Sequence, residues 1–337
     1  MNKKRLNLAL QGGGAHGAFT WGVLDRLLEM DEVEIAGLVG TSAGAMNAAV
    51  TAYGLSKDGH DGARQALTDF WKKISDAAKL SPLQPTPFDK LLSPGNMDLS
   101  PSWIVFDNLS RVFSPYQLNP LNINPLREVL EQVVDFDFLQ HHCAVSLQLC
   151  ATNVLTGKIR VFQPEEITPD CVLASGCLPF LYQAVEIDGE YFWDGGYMGN
   201  PPIYPLIYHT NCQDVLIVQI NPINIPEVPK SAQGIYDRVN TLSFNSSLMR
   251  EMRAIEFVTR LIDDGHLNGE SYKRMNIHAI EAEDEMARLS VSSKLNADWD
   301  FLQYLFKLGR QRCETWLDDH GEKIGVESSI DLREVFL

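Results

Sequence analysis

The sequence predicts an α/β protein, with a mixed, largely parallel central sheet and helices on both faces. Three observations carry this. Short apolar runs of strand length alternate with segments of helical spacing. Two of those runs pass directly into glycine-rich turns that open helices, at Gly12-Gly13-Gly14-Ala15-His16-Gly17 and at Gly40-Thr41-Ser42-Ala43-Gly44. Apolar residues make up 45% of the 337-residue chain, enough for a large buried core.

Residues 6–10 form a short strand, and the first glycine loop links it to a helix over 18–30, with Phe19, Val23, Leu24, Leu27 and Leu28 along it. Residues 35–39 read as a second, buried strand. The small residues of 43–52 open the next helix, and 61–79 is amphipathic, with Leu67, Phe70, Trp71 and Ile74 on its apolar face. Between 80 and 125 the texture changes. Prolines recur at 82, 85, 87, 94, 101, 115, 120 and 125 among large apolar residues such as Phe88, Leu91, Leu92, Trp103 and Phe113. So long a connection is usually functional or disordered, and its aromatic content argues against disorder. Two readings stand: a lid or acyl-chain cap, and an irregular insertion that packs on the sheet or against a second copy.

A helix over 126–134, strands at 143–152 and 158–162, and a helix over 169–176 follow. Residues 184–187 and 191–193 form a hairpin around Asp188-Gly189, and 215–220 is another buried strand. The last third is mostly helical, with helices over 238–264 and 298–318 and an edge strand at 276–282. No repeat or low-complexity linker divides the chain. A single domain over 1–337 is therefore expected, with 80–125 as an insertion and 208–337 as the last core strand plus a helical extension.

The formal net charge of −16 argues against nucleic acid as a partner, because phosphate binding needs clustered Lys and Arg. It also opposes long-range attraction to anionic membranes, while leaving transient local contact with a lipid surface open. The six cysteines form no C-x-x-C pair and no zinc-type cluster, so reduced thiols, no metal and a cytoplasmic location are expected. No apolar run is long enough to cross a membrane. The N-terminus begins basic, but Asn7 and Gln11 interrupt its apolar part, so it reads as a strand and not a signal peptide. A homo-oligomer remains open.

The chemistry centres on Ser42. A serine on a tight strand-to-helix turn is exposed above the sheet, with glycines where backbones crowd and a helix N-terminus behind it. The alternative is a glycine-rich turn whose serine caps the helix. The loop at Gly12, Gly14 and Gly17 also fits the dinucleotide pattern G-x-G-x-x-G, but the second strand ends in Gly40-Thr41-Ser42 with no acidic residue for a ribose. Three consecutive glycines instead expose several backbone N–H groups in one concavity, suited to phosphate or to the oxyanion of an acyl-transfer intermediate. Each such donor contributes roughly 3 kcal/mol to the transition state. A serine nucleophile also needs a base. His209, His266, His278 and His320 lie in helices, at helix ends or within a strand. Asp194 follows the strand-like Tyr191-Phe192-Trp193, and Gly195 and Gly196 let the chain turn sharply after it.

These marks, in this order, resemble the patatin-like phospholipase family: the glycine loop at 12–17, Gly40-Thr41-Ser42-Ala43-Gly44, and Asp194-Gly195-Gly196. Ala174-Ser175-Gly176-Cys177-Leu178-Pro179 and Asn200-Pro201-Pro202 strengthen the resemblance, which covers roughly residues 6–207. It implies a three-layer α/β/α sandwich and hydrolysis of lipid acyl esters without a cofactor. It also implies Ser42 as nucleophile, Asp194 as base, and Gly12, Gly13 and Gly14 as the oxyanion hole, with Gly17, Gly40, Gly44, Gly195 and Gly196 shaping the turns. His16 stands where many relatives carry Lys or Arg, which would exchange a permanent cation for a titratable group. Three alternatives stand beside this reading: an acyltransferase using the same dyad, a nucleotide-binding oxidoreductase built on residues 12–17, and a non-catalytic interaction protein that retains the fold.

Overall fold

The computed structural model describes residues 3–268 and 272–337. Its first strand, β1 (Lys4–Leu10), is fully buried from Leu6 onward. A strand covered on both faces belongs at the centre of a parallel sheet, and β1 pairs in parallel with β2 (Val33–Gly40) on one side. Between them runs α1 (Gly17–Leu27). After β2, α2 (Ala43–Ala78) continues for 36 residues, broken at Asp58 and Gly59, where Gly59 takes φ +66°. The two helices expected over 43–52 and 61–79 are the halves of this one.

The excursion contains α3 (Pro87–Leu92), α4 (Pro101–Ser110) and α5 (Pro115–Leu118). Then come α6 (Pro125–Val133), α7 (Phe136–His142), β3 (Ser146–Asn153), β4 (Ile159–Phe162), α8 (Pro169–Ser175), β5 (Val185–Ile187) and β6 (Glu190–Asp194). The chain continues through α9 (Tyr204–His209), β7 (Asp214–Val218), α10 (Ala232–Asp263), β8 (Asn276–Ile280), α11 (Glu283–Met286), α12 (Trp299–His320) and α13 (Leu332–Phe336).

The strand order is β5-β6-β3-β2-β1-β7-β8, with β4 also on β3. The five strands from β3 to β8 are parallel, and β4, β5 and β6 add antiparallel pairs. Alternation along the strands divides the core between two faces. Leu8, Leu10, Leu38 and Leu216 join side chains of α1, α2, α8 and α12, whereas Ala9, Val39, Val215 and Ile217 join those of α9, α10 and α13. This is the expected layering of helix, sheet and helix. The C-terminal helix α12 lies against α1 at close range. A Cβ on Gly22 would stand 2.0 Å from the Phe306 carbonyl oxygen, and one on Gly309 equally close to that of Phe19. No helix among the described residues is long and apolar enough to cross a membrane.

Candidate active site

The parallel strands bring the ends of β1 and β2 to one edge of the sheet, the usual position for ligands in α/β folds. Thr41 and Ser42 turn the chain from β2 into α2. Ser42 holds φ 56°, ψ −123°, a conformation that costs a non-glycine residue of order 1–3 kcal/mol. The surroundings enforce it. A Cβ on Gly40 would lie 2.3 Å from the Gly44 carbonyl oxygen, and one on Gly44 2.1 Å from that of Leu10. The Ser42 N–H donates to Ser175 Oγ at 2.9 Å, and Thr41 Oγ1 donates to the Gly199 carbonyl at 2.7 Å. Ser42 is 8% exposed and begins a long helix, whose N-terminal dipole favours negative charge at this point.

The glycine loop is fixed from beneath by Gln11. Its Oε1 accepts from the N–H groups of Ile220 and Asn221 at 2.8 and 2.9 Å, and its Nε2 donates to the Asn200 carbonyl at 3.2 Å. Gly12 presses directly on the serine turn, since a Cβ there would meet Ser42 Cβ at 2.7 Å. Its N–H is already engaged, donating to Asn200 Oδ1 at 2.7 Å, so Gly12 is not an open donor as the sequence led us to expect. The loop's open donors are Gly13 and Gly14, whose N–H groups meet no acceptor among the described residues. Gly14 takes φ +60°, and Gly17 lets α1 start against Ala43, where a Cβ would come within 2.8 Å.

His16 does not behave as a titratable replacement for a cation. It is buried with its Nε2 2.7 Å from Ser293 Oγ, and burial, reinforced by the nearby Lys294 ammonium, pushes its pKa down to about 3. It is neutral at ordinary pH.

Asp194 closes β6 opposite Ala151 of β3. Its N–H donates to the Cys177 carbonyl at 2.8 Å, and its carbonyl accepts from Thr152 Oγ1 at 2.8 Å. The side chain is wholly buried. Oδ1 accepts from the Gly196 N–H at 2.7 Å, and Oδ2 has no hydrogen-bond partner. Burial raises the carboxyl pKa to about 6, against the opposing pull of the Gly196 N–H, the Ser42 hydroxyl and the Lys294 charge. No hydrogen bond joins the Ser42 hydroxyl to this carboxylate. Both following glycines are required by contact: a Cβ on Gly195 would lie 2.3 Å from the Cys150 carbonyl oxygen, and one on Gly196 2.3 Å from Phe244.

The histidines lie elsewhere. His278, on β8, is buried with its Nε2 3.0 Å from Asp214 Oδ1. Asp214 opens β7, so this pair sits towards the end of the parallel sheet away from Ser42. His209 and His266 are exposed, and none of the four hydrogen-bonds to Ser42. Several residues that shape the site were given no site role in the sequence reading: Gln11, Asn221 and Lys294, with Ser175 and Asn200 entering only within stretches that carry the resemblance. A glutamine closing an apolar strand just before three glycines was a usable signal for Gln11. The Asn-Pro pairs at 200–201 and 221–222 were weaker ones.

No curated protein sequence matches the chain. Among solved structures, VipD from Legionella pneumophila aligns over 95% of this chain and 67% of its own, at 17% identity and a TM-score of 0.45. ExoU in its heterodimeric complex with SpcU, from the type III secretion system of Pseudomonas aeruginosa, aligns over 73% of this chain at 19% identity and a TM-score of 0.35. A second structure of the type III effector ExoU covers 94% at 16% identity and a TM-score of 0.35. The chain spans about half the length of the ExoU chains, 51% and 53%. The family model for patatin-like phospholipase matches residues 8–207, the stretch that carries the glycine loop, the serine turn and Asp194. The chain belongs to the patatin-like phospholipase family, a family of lipid acyl hydrolases.

Proposed function

We propose that the protein hydrolyses lipid acyl esters through a Ser42–Asp194 dyad, with the Gly13 and Gly14 N–H groups as the oxyanion hole. The observation that carries this reading is the buried Asp194 carboxylate. One of its oxygens is unpartnered, and Ser42 is held in a strained turn. Ser42 Oγ attacks the ester carbonyl carbon as its proton passes to Asp194. The carbonyl oxygen gains the negative charge and is met by the loop donors and the N-terminus of α2. Collapse expels the alcohol, which takes the proton back from Asp194, and leaves an acyl-serine. Asp194 then deprotonates a water that attacks the acyl carbon, and the proton returns to Ser42 as the fatty acid leaves.

An aspartate is ordinarily a poor base for a hydroxyl, because its pKa lies far below that of serine. Desolvation narrows the gap here by raising Asp194 to about 6. The loop donors supply the rest by stabilising the oxyanion.

The excursion supports a second element of the reading, a lipid-facing surface. Phe88, Leu91, Leu92, Val112 and Leu121 are each two-thirds or more exposed. The segment also reaches the loop after α8, where Gln183 Nε2 donates to the Asn119 carbonyl and the Ala184 N–H donates to the Tyr116 hydroxyl. That loop begins at Gly176, beside Ser42.

Labelling with a fluorophosphonate probe tests the dyad. Wild type is expected to label, while Ser42→Ala and Asp194→Asn do not. Persistent labelling of Ser42→Ala, or a folded wild type that stays unlabelled in the presence of detergent, overturns it.

A further inference from the structure

Lys294 lies in the turn between α11 and α12, beyond the residues that carry the family match. It nevertheless reaches both halves of the site. Its backbone packs on the glycine loop so closely that a Cβ on Gly14 would stand 2.3 Å from the Lys294 carbonyl oxygen. Its Nζ donates to Asn221 Oδ1 at 3.0 Å, and Asn221 Nδ2 donates in turn to the Gly12 carbonyl at 2.8 Å. The same ammonium sits 5.7 Å over the Phe244 ring, and Phe244 fills the space beside Gly196. One intermediary therefore connects it to the oxyanion loop and another to the turn after Asp194. Among the described residues it makes no ion pair within 4 Å, so no carboxylate neutralises its charge at contact.

The charged groups that act on it are Asp237 and Asp194. Its side chain lines a cavity of about 390 Å³ together with His16, Asp237, Arg238, Arg288 and Glu227. Arg238 already donates to the Ile223 carbonyl, and Arg288 pairs with Glu285. His16 is neutral. Burial lowers the Lys294 ammonium to about 8, opposed by Asp237 and Asp194, so it is charged at pH 7.

We propose that Lys294 is a positioning residue of the dyad: its ammonium presents the positive charge against which the Asp194 carboxylate and the glycine loop are set, so that the C-terminal segment completes the site. The chemistry gives a reason for a cation at this place. During acylation the negative charge leaves Asp194, as it takes the serine proton, and reappears on the oxyanion at Gly13 and Gly14. A cation connected to both positions stays opposite that charge throughout. It favours the ionised base before the step and the oxyanion after it, without moving.

The proposal rests on the Ser42–Asp194 reading, and the test separates the two. Lys294→Met and Lys294→Arg are compared with wild type in hydrolysis of a soluble p-nitrophenyl ester from about pH 5 to about pH 9, with thermal melts to confirm folding. Lys294→Gln replaces the Met variant if that fails to fold. Loss of the charge is expected to move the acid limb of the rate profile to higher pH, the direction for a carboxylate that loses a nearby cation. Lys294→Arg is expected to keep the limb at the wild-type position. A folded, uncharged variant with an unmoved limb, whatever its rate, shows a structural role only and overturns the proposal. So does an Arg variant whose limb shifts like that of Met. Hydrolysis that survives Ser42→Ala would instead remove the dyad reading itself.

Discussion

Around Ser42, the glycines at 12, 40, 44, 195 and 196 sit where a Cβ would meet another part of the chain within 3 Å, whereas in the excursion Leu91 and Leu92 stand in solvent at 76% and 67% exposure. The first region is held from within: the Ser42 N–H and the Thr41 hydroxyl have internal partners, and backbone segments touch. The second is ordered but not saturated. Asp89, wholly buried, accepts from the Thr86 and Leu99 N–H groups at 2.8 and 2.9 Å and so ties two turns of the excursion together. Its apolar side chains nevertheless lack cover. In the proposed function the first region sets chemistry and the second sets access.

The largest effect should come from the dyad. Ser42→Ala and Asp194→Asn are each expected to lower kcat for a soluble ester by about 10³-fold or more while the protein stays folded, as seen by steady-state kinetics with a thermal melt. In wild type, the raised Asp194 pKa places the acid limb near pH 6, with activity rising through it as the carboxylate ionises. The same shift bears on stability. The folded-state pKa, about 6, lies above the ordinary value of 3.8, so the folded protein disfavours the charge. That cost is present in full above pH 6 and fades as pH falls through 6 towards 3.8. Asp194→Asn should therefore melt higher than wild type at pH 7, by up to about 3 kcal/mol, and lose that advantage on acidification. An Asn variant less stable than wild type at pH 7 would show that the site is not built against its own charge.

How far the sequence revealed these two regions follows from the range of their contacts. The strand–glycine–helix units were readable because their constraints are local: alternation fixes the strand, and Gly40 and Gly44 act on the turn between them. The polar frame beneath was not, because Gln11 meets Asn221, Gly12 meets Asn200 and Lys294 meets Asn221 across long stretches of chain. The helices of the excursion went unread for a different reason. Pro87, Pro101 and Pro115 occupy first helical positions after Thr86, Ser100 and Ser114, where a missing N–H costs nothing, in segments of ten residues or fewer. The seven-residue α7, capped by Asp135, was too short to show a period.

An intermediate effect tests the access side of the comparison. Leu91→Asp with Leu121→Asp is expected to reduce hydrolysis of lipid in zwitterionic vesicles by about tenfold, from the loss of partial burial of two leucines. Turnover of a soluble ester should remain within about twofold, and stability should shift by less than about 0.5 kcal/mol, as usual at exposed positions. Equal losses on both substrates would mean that the excursion acts on the catalytic geometry and that the division fails.

The smallest effect on activity should come from His278→Ala, although this histidine is paired with an aspartate as a triad member would be. Burial alone would raise Asp214, but hydrogen bonds from His278, the Gly325 N–H and Asn276 bring its pKa below the ordinary range. Removing the imidazole leaves a buried carboxylate with one partner fewer and a cavity beside Trp316, whose ring centroid lies 5.6 Å away. A loss of about 2–3 kcal/mol in stability follows. Yet kcat should stay within about twofold, because the pair lies away from the serine end of the sheet, joining β7 to β8 and, through Gly325, to the segment after α12. A folded variant with collapsed kcat would give this histidine the proton that the proposed dyad gives to Asp194. Lowered stability with intact turnover would show that a His–Asp pair can serve a serine hydrolase purely as a fastening between its sheet and its C-terminal segment.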